Sequence, residues 1–461
     1  MTSTLVQPTL ESLNAPTIHQ LPNGLTIIAE HLPVEAVNLN IWLNVGSAVE
    51  SEPINGMAHF LEHLIFKGTP KLPGGEFERL VEQQGAVMNA ATSQDYTHFY
   101  ITTAPKDFAK LAPLQWEVLL NASIADDPFE RERSVVLEEI RRSNDNPNRR
   151  CYRKAIETAF EKLPYRRPVL GPVEVVSQLQ PQQMRDFHHT WYQPTSMTAT
   201  VVGNLPVEEL IDIVANSFTE AENRQNIPEI PPLPPRNNLT PEPPFTKIVR
   251  HEVVDEALQQ PRLIMLWRVP GLTQLHETYT LDVLATILSR GKTSRLVRDL
   301  REERGLVYSI GVSNMSHRHQ GVFYISARLP EENLAEVEAA IAHHIHTIQQ
   351  ESVTETEIQR IRTLVANRFV FANETPSDRA NLYGYYHSIV GDLAPALNYP
   401  QHIQALDSSD IQQAASKYLS VDAYGVIAFR PIDSIQNSKV KSECVIMRKP
   451  QNARRTQDSQ K

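Results

Sequence analysis

Two histidines and one glutamate occur close together in the segment GMAHFLEH, which spans residues 56–63. The apolar spacing of this segment predicts a helix. His59 and His63 are four residues apart, so they project from one helical face about one turn apart and can bind one metal ion. Glu62 lies on the same side and can act as a general base on a water molecule at the ion without binding the ion itself.

The order H-x-x-E-H is the reverse of the more common H-E-x-x-H zinc helix, but it presents the same groups on the same face. In a chain with 16 histidines this order arises by accident on the order of 0.05 times, so the motif favours a zinc site. The alternative is a polar helix face without a ligand. Phe60, Leu61 and Leu64 argue against that alternative, because histidines buried beside a glutamate need a partner.

A catalytic zinc site needs a third protein ligand and leaves its fourth position open for water. Asp126-Asp127-Pro128 has the pattern of a capped helix start, and the sequence predicts a helix from there through FERERSVVLEEIRRS. Glu132 and Glu139 lie seven residues apart in it, two turns, and therefore share a face. Paired carboxylates on a helix are usually solvated, so the spacing alone leaves both a ligand and a solvated face open.

The elements that position this motif occur in the same order in two halves of the chain. In the first half, the strand-like segments TIIAEHL and NLNIWLNV precede the motif, the helical EFERLVEQQG and strands through THFYITTA. In the second half, LIMLWRV precedes the helical YTLDVLATILSRG and SRLVRDLREERG and the strands LVYSIGV and GVFYISARL. We therefore predict an α+β fold of two structurally similar halves, each a mainly antiparallel sheet packed with helices.

The second half lacks the metal-binding residues of the first. When HLIFKG is aligned with TILSRG, Asp282, Ala285 and Thr286 occupy the positions of the first histidine, the glutamate and the second histidine. Only the first half therefore has the chemistry to bind a metal. We predict that the second half binds substrate.

Eight prolines fall between Pro228 and Pro244, a density that prevents a helix and indicates a semi-rigid connector. The last residues are polar, basic and unpatterned, which is typical of disorder. We divide the chain into a zinc-binding catalytic half (1–223), a proline-rich connector (224–247), a second half that provides substrate and transition-state contacts (248–447) and a disordered tail (448–461).

The composition argues against several classes of protein. A net charge of −10 gives no electrostatic reason to bind nucleic acid, and no stretch approaches the ~20 apolar residues of a membrane span. Cys151 and Cys444 are far apart, which indicates neither a disulfide framework nor a thiolate metal site. The first twenty residues do not have the pattern of a secretory signal or a transit peptide. We expect a cytoplasmic protein of bacterial type.

The segment HFLEH, followed by a glutamate 76 residues after its second histidine, resembles the pitrilysin family, which includes the mitochondrial processing peptidases and their bacterial relatives. The likeness covers nearly the whole chain and includes LPNGL, NAATSQDYTHFY and WYQPTSMTATVVGNL. It implies a zinc cofactor bound by His59, His63 and Glu139. It also implies an auxiliary catalytic role for Glu132, seven residues before the third ligand.

The resemblance further implies a set of substrate contacts. The segment 87–92 resembles the family strand whose edge binds an extended peptide, with Asn89 and Ala90 at the binding positions; without the family, an ordinary hairpin strand is the simpler interpretation. LREERGLVYSIG resembles a segment whose arginine and tyrosine bind substrate and stabilise the tetrahedral intermediate. Arg301 and Tyr308 match those positions, although the pattern alone predicts a surface charge and a packed strand residue.

The resemblance implies a zinc-dependent endopeptidase that hydrolyses extended peptides or presequence-like segments, with its two halves around a chamber. Family members of this length generally work as dimers whose site combines halves of different subunits, so we expect a homodimer or a heterodimer with a related chain. Two alternatives stay open. One is a non-catalytic scaffold subunit like the core proteins of respiratory complexes, and the other is a zinc enzyme that needs an inactive partner chain to complete its site.

Overall fold

A computed structural model describes residues 15–222, 233–234 and 239–432 of the chain. The proline-rich connector predicted for residues 224–247 falls partly outside this region, and the tail predicted for residues 448–461 falls entirely outside it. Both divisions therefore remain predictions.

The first half is built around a six-stranded sheet. Its strands are β1 (Thr17–Gln20), β2 (Thr26–His31), β3 (Val37–Leu43), β4 (Val87–Thr92), β5 (Thr97–Thr103) and β6 (Met197–Gly203). They lie in the order β1-β2-β6-β3-β5-β4, and every neighbouring pair is antiparallel except β2 and β6. Strand β4 therefore forms one edge of the sheet.

Most helices of the first half cover one face of this sheet. Leu39 and Ile41 of β3 lie on that face and share a buried core with Phe60, Trp116 and Val214. The alternation of apolar residues in β3 buries one side of the strand under the helices. The helices are α1 (Met57–Ile65), α2 (Glu76–Gln83), α3 (Pro105–Asn121), α4 (Asp126–Asp145), α5 (Pro147–Ala159), α6 (Val173–Val176), α7 (Pro181–Trp191) and α8 (Val207–Glu222).

Helix α4 starts where the sequence predicts but with a different cap. Ala125 occupies the cap position and provides no side-chain hydrogen bond, while Asp126 and Asp127 lie in the first turn. Carboxylates in a first turn favour the helix through its dipole. Pro128 is the third helical residue rather than the first. The N–H groups of the first turn have no acceptor within the helix, so a proline, which lacks an N–H, is tolerated there.

The second half contains a five-stranded sheet in the order β7-β11-β8-β10-β9. Its strands are β7 (Val249–Val254), β8 (Arg262–Pro270), β9 (Ser309–Ser316), β10 (Gln320–Arg328) and β11 (Gly425–Arg430). Its helices are α9 (Leu275–Ser289), a π-helical segment (Val297–Glu303), α10 (Leu334–Gln350), α11 (Glu355–Phe371), α12 (Pro376–Val390), α13 (Ala394–Leu397), α14 (Tyr399–Ala405) and α15 (Ser408–Tyr418).

The two sheets correspond strand for strand. The order β7-β11-β8-β10-β9 repeats β2-β6-β3-β5-β4, and β7 and β11 form the parallel pair equivalent to β2 and β6. Strand β1 is an addition to the first sheet. The prediction of two similar, mainly antiparallel α+β halves is confirmed.

Helix α12 of the second half covers the other face of the first sheet. Ala380 and Tyr383 of α12 pack in a buried cluster with Ile28 and Val202. The Tyr383 hydroxyl donates to the buried carboxylate of Glu30 at 2.7 Å. These contacts hold the second half against the first.

Helix α5 of the first half covers a face of the second sheet in return. Ala155 and Ile156 of α5 share a buried core with Ile264, Leu266 and Ile427. Helix α5 is the third α-helix after β5, and α12 is the third α-helix after the equivalent strand β10. The two halves therefore exchange equivalent helices, and each of these helices covers the sheet of the other half.

A cavity of about 1090 Å³ lies between the halves, but none of the predicted metal, catalytic or substrate residues lines it, so the chamber remains a prediction. Trp42 and His98 line it from the first sheet, and Asp282 and Tyr385 line it from the second half. Asp282, which aligns with the first motif histidine, accepts a hydrogen bond from Asn314 Nδ2 at 2.9 Å. Burial raises the pKa of Asp282 to about 6.

Within the described ranges, no helix combines the length and the hydropathy that crossing a bilayer requires.

Candidate metal centre

The helix that carries the H-x-x-E-H motif is fixed at its start by a buried carboxylate. Gly56 has φ +100°, and a Cβ there would lie 2.7 Å from the Leu170 carbonyl oxygen, so the position requires glycine. Glu50 replaces the missing side-chain cap: its Oε2 accepts from Gly56 N at 2.8 Å and its Oε1 from Ala58 N at 2.7 Å. Burial raises the pKa of Glu50 to about 7 in spite of these bonds.

Three ligand atoms converge between α1 and α4. The Nε2 atoms of His59 and His63 each lie 3.5 Å from Oε2 of Glu139. The ligand atoms of all three residues lie within 4.8 Å of one another. The predicted third ligand, Glu139, is therefore positioned opposite the histidine pair.

This spacing fits a zinc ion. Two ligands about 2.1 Å from a tetrahedral ion are about 3.4 Å apart, which agrees with the two 3.5 Å separations at Glu139. Two imidazoles and one carboxylate are ligands that zinc accepts, and three protein ligands leave a fourth position open. The donor set and its geometry therefore suit a catalytic zinc site.

The surroundings shift the pKa values of the two histidines in opposite directions. Burial, followed by the neighbouring His63, lowers the pKa of His59 to about 4, so its ring is neutral at neutral pH and offers a lone pair. Burial also lowers the pKa of His63, but hydrogen bonds to Glu132 and Glu139 outweigh it and raise that pKa to about 9. A metal at Nε2 of His63 must therefore displace a proton.

Glu132 lies behind the second histidine rather than among the ligands. Its Oε1 is 2.9 Å from Nδ1 of His63, and its Oε2 is 2.9 Å from Nζ of Lys67. Burial opposes ionisation of Glu132, but these two hydrogen bonds lower its pKa. A carboxylate at the second nitrogen of a ligating histidine fixes the tautomer and orientation of the ring.

Glu62 lies between the ligand cluster and the edge strand. Its Oε2 accepts a hydrogen bond from the Thr92 hydroxyl at 2.5 Å. Burial raises the pKa of Glu62, and the bond from Thr92 only partly offsets this effect. A raised pKa improves a carboxylate as a proton acceptor at neutral pH.

The segment predicted to bind substrate is the edge strand β4, which pairs on one side with β5. Asn89 is exposed and Ala90 is partly buried. The Ala90 amide donates to Oδ1 of Asn89 at 2.9 Å. The end of this strand, at Thr92, is the part that contacts Glu62.

Arg301 and Tyr308 do not join the metal cluster within the chain. Arg301 pairs with its neighbour Glu302, with Nη2 at 2.6 Å from Oε1. Tyr308 is 54% exposed and precedes β9. In the described part of the chain, neither side chain forms a hydrogen bond or an ion pair with His59, His63 or Glu139. The predicted site residues therefore form two separate groups, one around the metal ligands and one that consists of Arg301 and Tyr308.

Three residues that support the centre were not identified from the sequence. Lys67 lies four residues after His63 and two residues beyond the end of α1, so only its closeness to the motif in the sequence could have drawn attention to it. Thr92 lay within the recognised strand, but nothing in the pattern connected it with Glu62. Glu50 precedes α1 in a loop, and its capping role depends on tertiary folding.

Two family models match consecutive parts of the chain. Residues 26–173 match the model described as "Insulinase (Peptidase family M16)", and residues 178–365 match the "Peptidase M16 inactive domain". The second match begins before β6, a strand of the first sheet. The boundary between the two family matches therefore does not coincide with the boundary between the two sheets.

Individual proteins extend the likeness over most of the chain. An uncharacterised zinc protease of Mycobacterium leprae is 31% identical over 426 residues, which cover 90% of this chain and 91% of that protein. The crystal structure of a protease from Helicobacter pylori has a TM-score of 0.83 at 25% identity and covers 90% of this chain and 99% of that one.

A chain of complex III2 from Candida albicans shares the fold, with a TM-score of 0.73 at 15% identity, over 90% of this chain and 95% of that one. This third likeness concerns the fold alone. The family matches, together with a relative more than 30% identical along nearly its whole length, lead to one conclusion. The chain belongs to peptidase family M16.

Proposed function

We propose that this chain is a zinc-dependent endopeptidase that hydrolyses extended peptides. The observation that carries the proposal is the convergence of His59, His63 and Glu139 at tetrahedral ligand spacing. The zinc protease names of relatives such as the Mycobacterium leprae protein support zinc as the metal.

Zinc, when bound, lowers the pKa of a water molecule towards ~7 and polarises the scissile carbonyl. Glu62 accepts the proton of the attacking water and later delivers it to the leaving amine. The Thr92 hydroxyl holds one oxygen of Glu62, which limits the orientations of the carboxylate. Glu132 acts as a positioning residue, because it contacts His63 through the ring nitrogen that faces away from Glu139.

Strand β4 provides the binding surface for the substrate backbone. A peptide that extends the sheet would pair with its free edge, and main-chain hydrogen bonds give affinity with little sequence selectivity. The Ala90 amide, now bonded to Asn89, would donate to a peptide carbonyl instead. Pairing along β4 brings the peptide past Thr92 and thus to Glu62.

A dimer would supply the groups that one chain keeps apart. Arg301 and Tyr308 are separate from the metal cluster and are accessible, with Tyr308 54% exposed. A second subunit, whether a copy of this chain or a related one, can present them to the developing oxyanion, where a cation and a phenol O–H stabilise the negative charge. The cytoplasmic location expected from the sequence remains a prediction.

A non-catalytic scaffold is the second candidate, and the shared fold with a complex III2 chain favours it. A scaffold does not need three converging ligands, a general base and a carboxylate that orients one ligand. This chain has all of these groups in one cluster. We therefore prefer the enzyme.

Chelator-sensitive hydrolysis tests the proposal. The purified chain is expected to contain about one zinc per active site and to cleave members of a peptide library. Removal of zinc with a chelator should abolish cleavage, and added zinc should restore it. A purified chain that retains zinc but cleaves no library member, alone or mixed with cell extract, would support the scaffold instead.

A further inference from the structure

A cationic pocket of about 260 Å³ opens between the start of α5 and the segment 165–170. Four arginines line it, and no aspartate or glutamate does among the described residues that form its wall. This is unusual for a chain with a net charge of −10. The arginines are Arg149, Arg153, Arg166 and Arg167.

Two of the four arginines already have acceptors. The Arg167 guanidinium donates to the Glu50 carbonyl oxygen at 2.6 Å and lies 3.5 Å from the Glu52 carboxylate. Arg166 donates to the Glu161 carbonyl oxygen at 3.1 Å. These two side chains therefore have a structural role in the pocket wall.

The other two arginines have no such acceptors. Within the described ranges of the chain, the side chains of Arg149 and Arg153 form neither an ion pair nor a hydrogen bond. They lie four residues apart on α5, so both project from one helical face. Arg149 is close enough to Glu139 to help lower the pKa of that carboxyl, but it forms no direct bond with it. Two guanidinium groups that no carboxylate contacts in one concave site attract an anion.

The pocket adjoins both the metal ligands and the substrate strand. Ser143, which lines it, lies one helical turn after Glu139 on α4. Gln94, which also lines it, lies two residues after the end of β4. A peptide that follows β4 past Thr92 therefore continues towards this pocket.

We propose that Arg149 and Arg153 form a substrate subsite for a carboxylate of the bound peptide, from an acidic side chain or from the free C-terminus. The inference rests on the proposed peptidase function. Guanidinium groups bind carboxylates through paired, charge-assisted hydrogen bonds. Ile156 and Leu170 add apolar surface to the pocket wall, against which the stem of a side chain can pack.

Binding to the zinc-loaded Glu62→Gln chain tests the subsite without turnover. The probes are extended peptides with glutamate or glutamine at one position, moved along the sequence, each made with a C-terminal acid or amide. In one of these pairs the carboxylate form should bind about tenfold more tightly, the gain expected from one charge-assisted interaction. A glutamate/glutamine difference identifies an acidic side chain, and an acid/amide difference identifies the C-terminus.

Adding Arg149→Gln and Arg153→Gln to that chain should reduce the tenfold preference to about twofold or less. Arg141→Gln is the matched control, because Arg141 is exposed on α4 and pairs with Glu138 outside the pocket; it should keep the preference. Unfolding temperatures verify that each variant is folded.

The subsite is refuted if no carboxylate pair differs, if no probe binds, or if the preference survives the double substitution. Failure of the peptidase function is recognised separately. If the peptidase function is wrong, the zinc-loaded wild-type chain will not cleave neutral peptides. This result does not depend on which probes the Glu62→Gln chain binds.

Discussion

Oε1 of Glu132 lies 2.9 Å from Nδ1 of His63, on the side of the ring that faces away from the metal ligand position. This contact orients the imidazole so that its Nε2 points towards Glu139, 3.5 Å away. Two glutamates on one helix, seven residues apart, thus contact the two nitrogens of one histidine. We therefore expect the two glutamates to have different roles, which their spacing in the sequence does not distinguish.

Substitutions on α4 should therefore separate a ligand from a positioning residue. Glu139→Gln removes one of three protein ligands and should abolish stoichiometric zinc binding. Glu132→Gln should keep the site but weaken zinc binding about 10–100-fold. Zinc titration against a competing chelator measures both.

Glu138→Gln is the control on α4, since Glu138 is half exposed and pairs with Arg142; zinc affinity should not change. Substitution of His59 or His63 by alanine should weaken zinc binding as Glu139→Gln does. Normal zinc binding by Glu139→Gln together with loss in Glu132→Gln would reverse the two roles.

The cap on α1 should matter for both stability and metal binding. Glu50→Ala leaves the Gly56 and Ala58 amides buried without an acceptor, which should lower the free energy of unfolding by about 2–4 kcal/mol. Zinc affinity should fall as well, because α1 carries two of the three proposed ligands. Chemical denaturation and zinc titration measure the two effects, with Glu52→Ala, an exposed neighbour, as the control.

The packing of α12 against the first sheet can be tested by a substitution at the contact between the halves. A Cβ at Gly384 of α12 would lie 2.0 Å from Nε1 of Trp42, a buried residue of β3. Gly384→Ala should therefore lower the free energy of unfolding by about 1–3 kcal/mol, although glycine to alanine in a helix normally adds about 1 kcal/mol.

Gly311→Ala is the matched control, because a Cβ there meets no atom within 4 Å. Its free energy of unfolding should stay the same or rise by up to about 1 kcal/mol, because glycine inside a strand is less stable than alanine. If the Gly384→Ala chain is instead more stable than the wild type, α12 does not pack closely against Trp42.

The element order and the ligand helix could be predicted because periodicity and motif spacing are local properties. The repeat of strands and helices predicted two similar halves, and the sheet orders agree strand for strand. The exchange of α5 and α12 could not be predicted, since an apolar helix face does not specify which sheet it covers. The capping by Glu50 and the bond from Thr92 to Glu62 likewise depend on tertiary folding.

Mixing two inactive variants should restore activity if the chain works as a homodimer with shared sites. In a mixed dimer of Glu62→Gln and Tyr308→Phe, one composite site carries both substitutions and the other carries neither. Half of the dimers are mixed at equal proportions. About one quarter of wild-type activity should then return, as measured by peptide cleavage after mild dissociation and reassociation.

Labelled subunits provide the control for exchange in this mixture. If exchange is demonstrated and no activity returns, each chain completes its own site or a different partner supplies Arg301 and Tyr308. Neither outcome changes the assignment of the zinc ligands.

The most direct test of the proposed chemistry is zinc content and peptide cleavage measured together on the Glu62→Gln chain. Because the substitution removes the general base and keeps His59, His63 and Glu139, the chain should retain about one zinc per site and lose at least about 100-fold in kcat. Loss of zinc would make Glu62 a ligand, and near wild-type cleavage with zinc retained would show that another group accepts the proton.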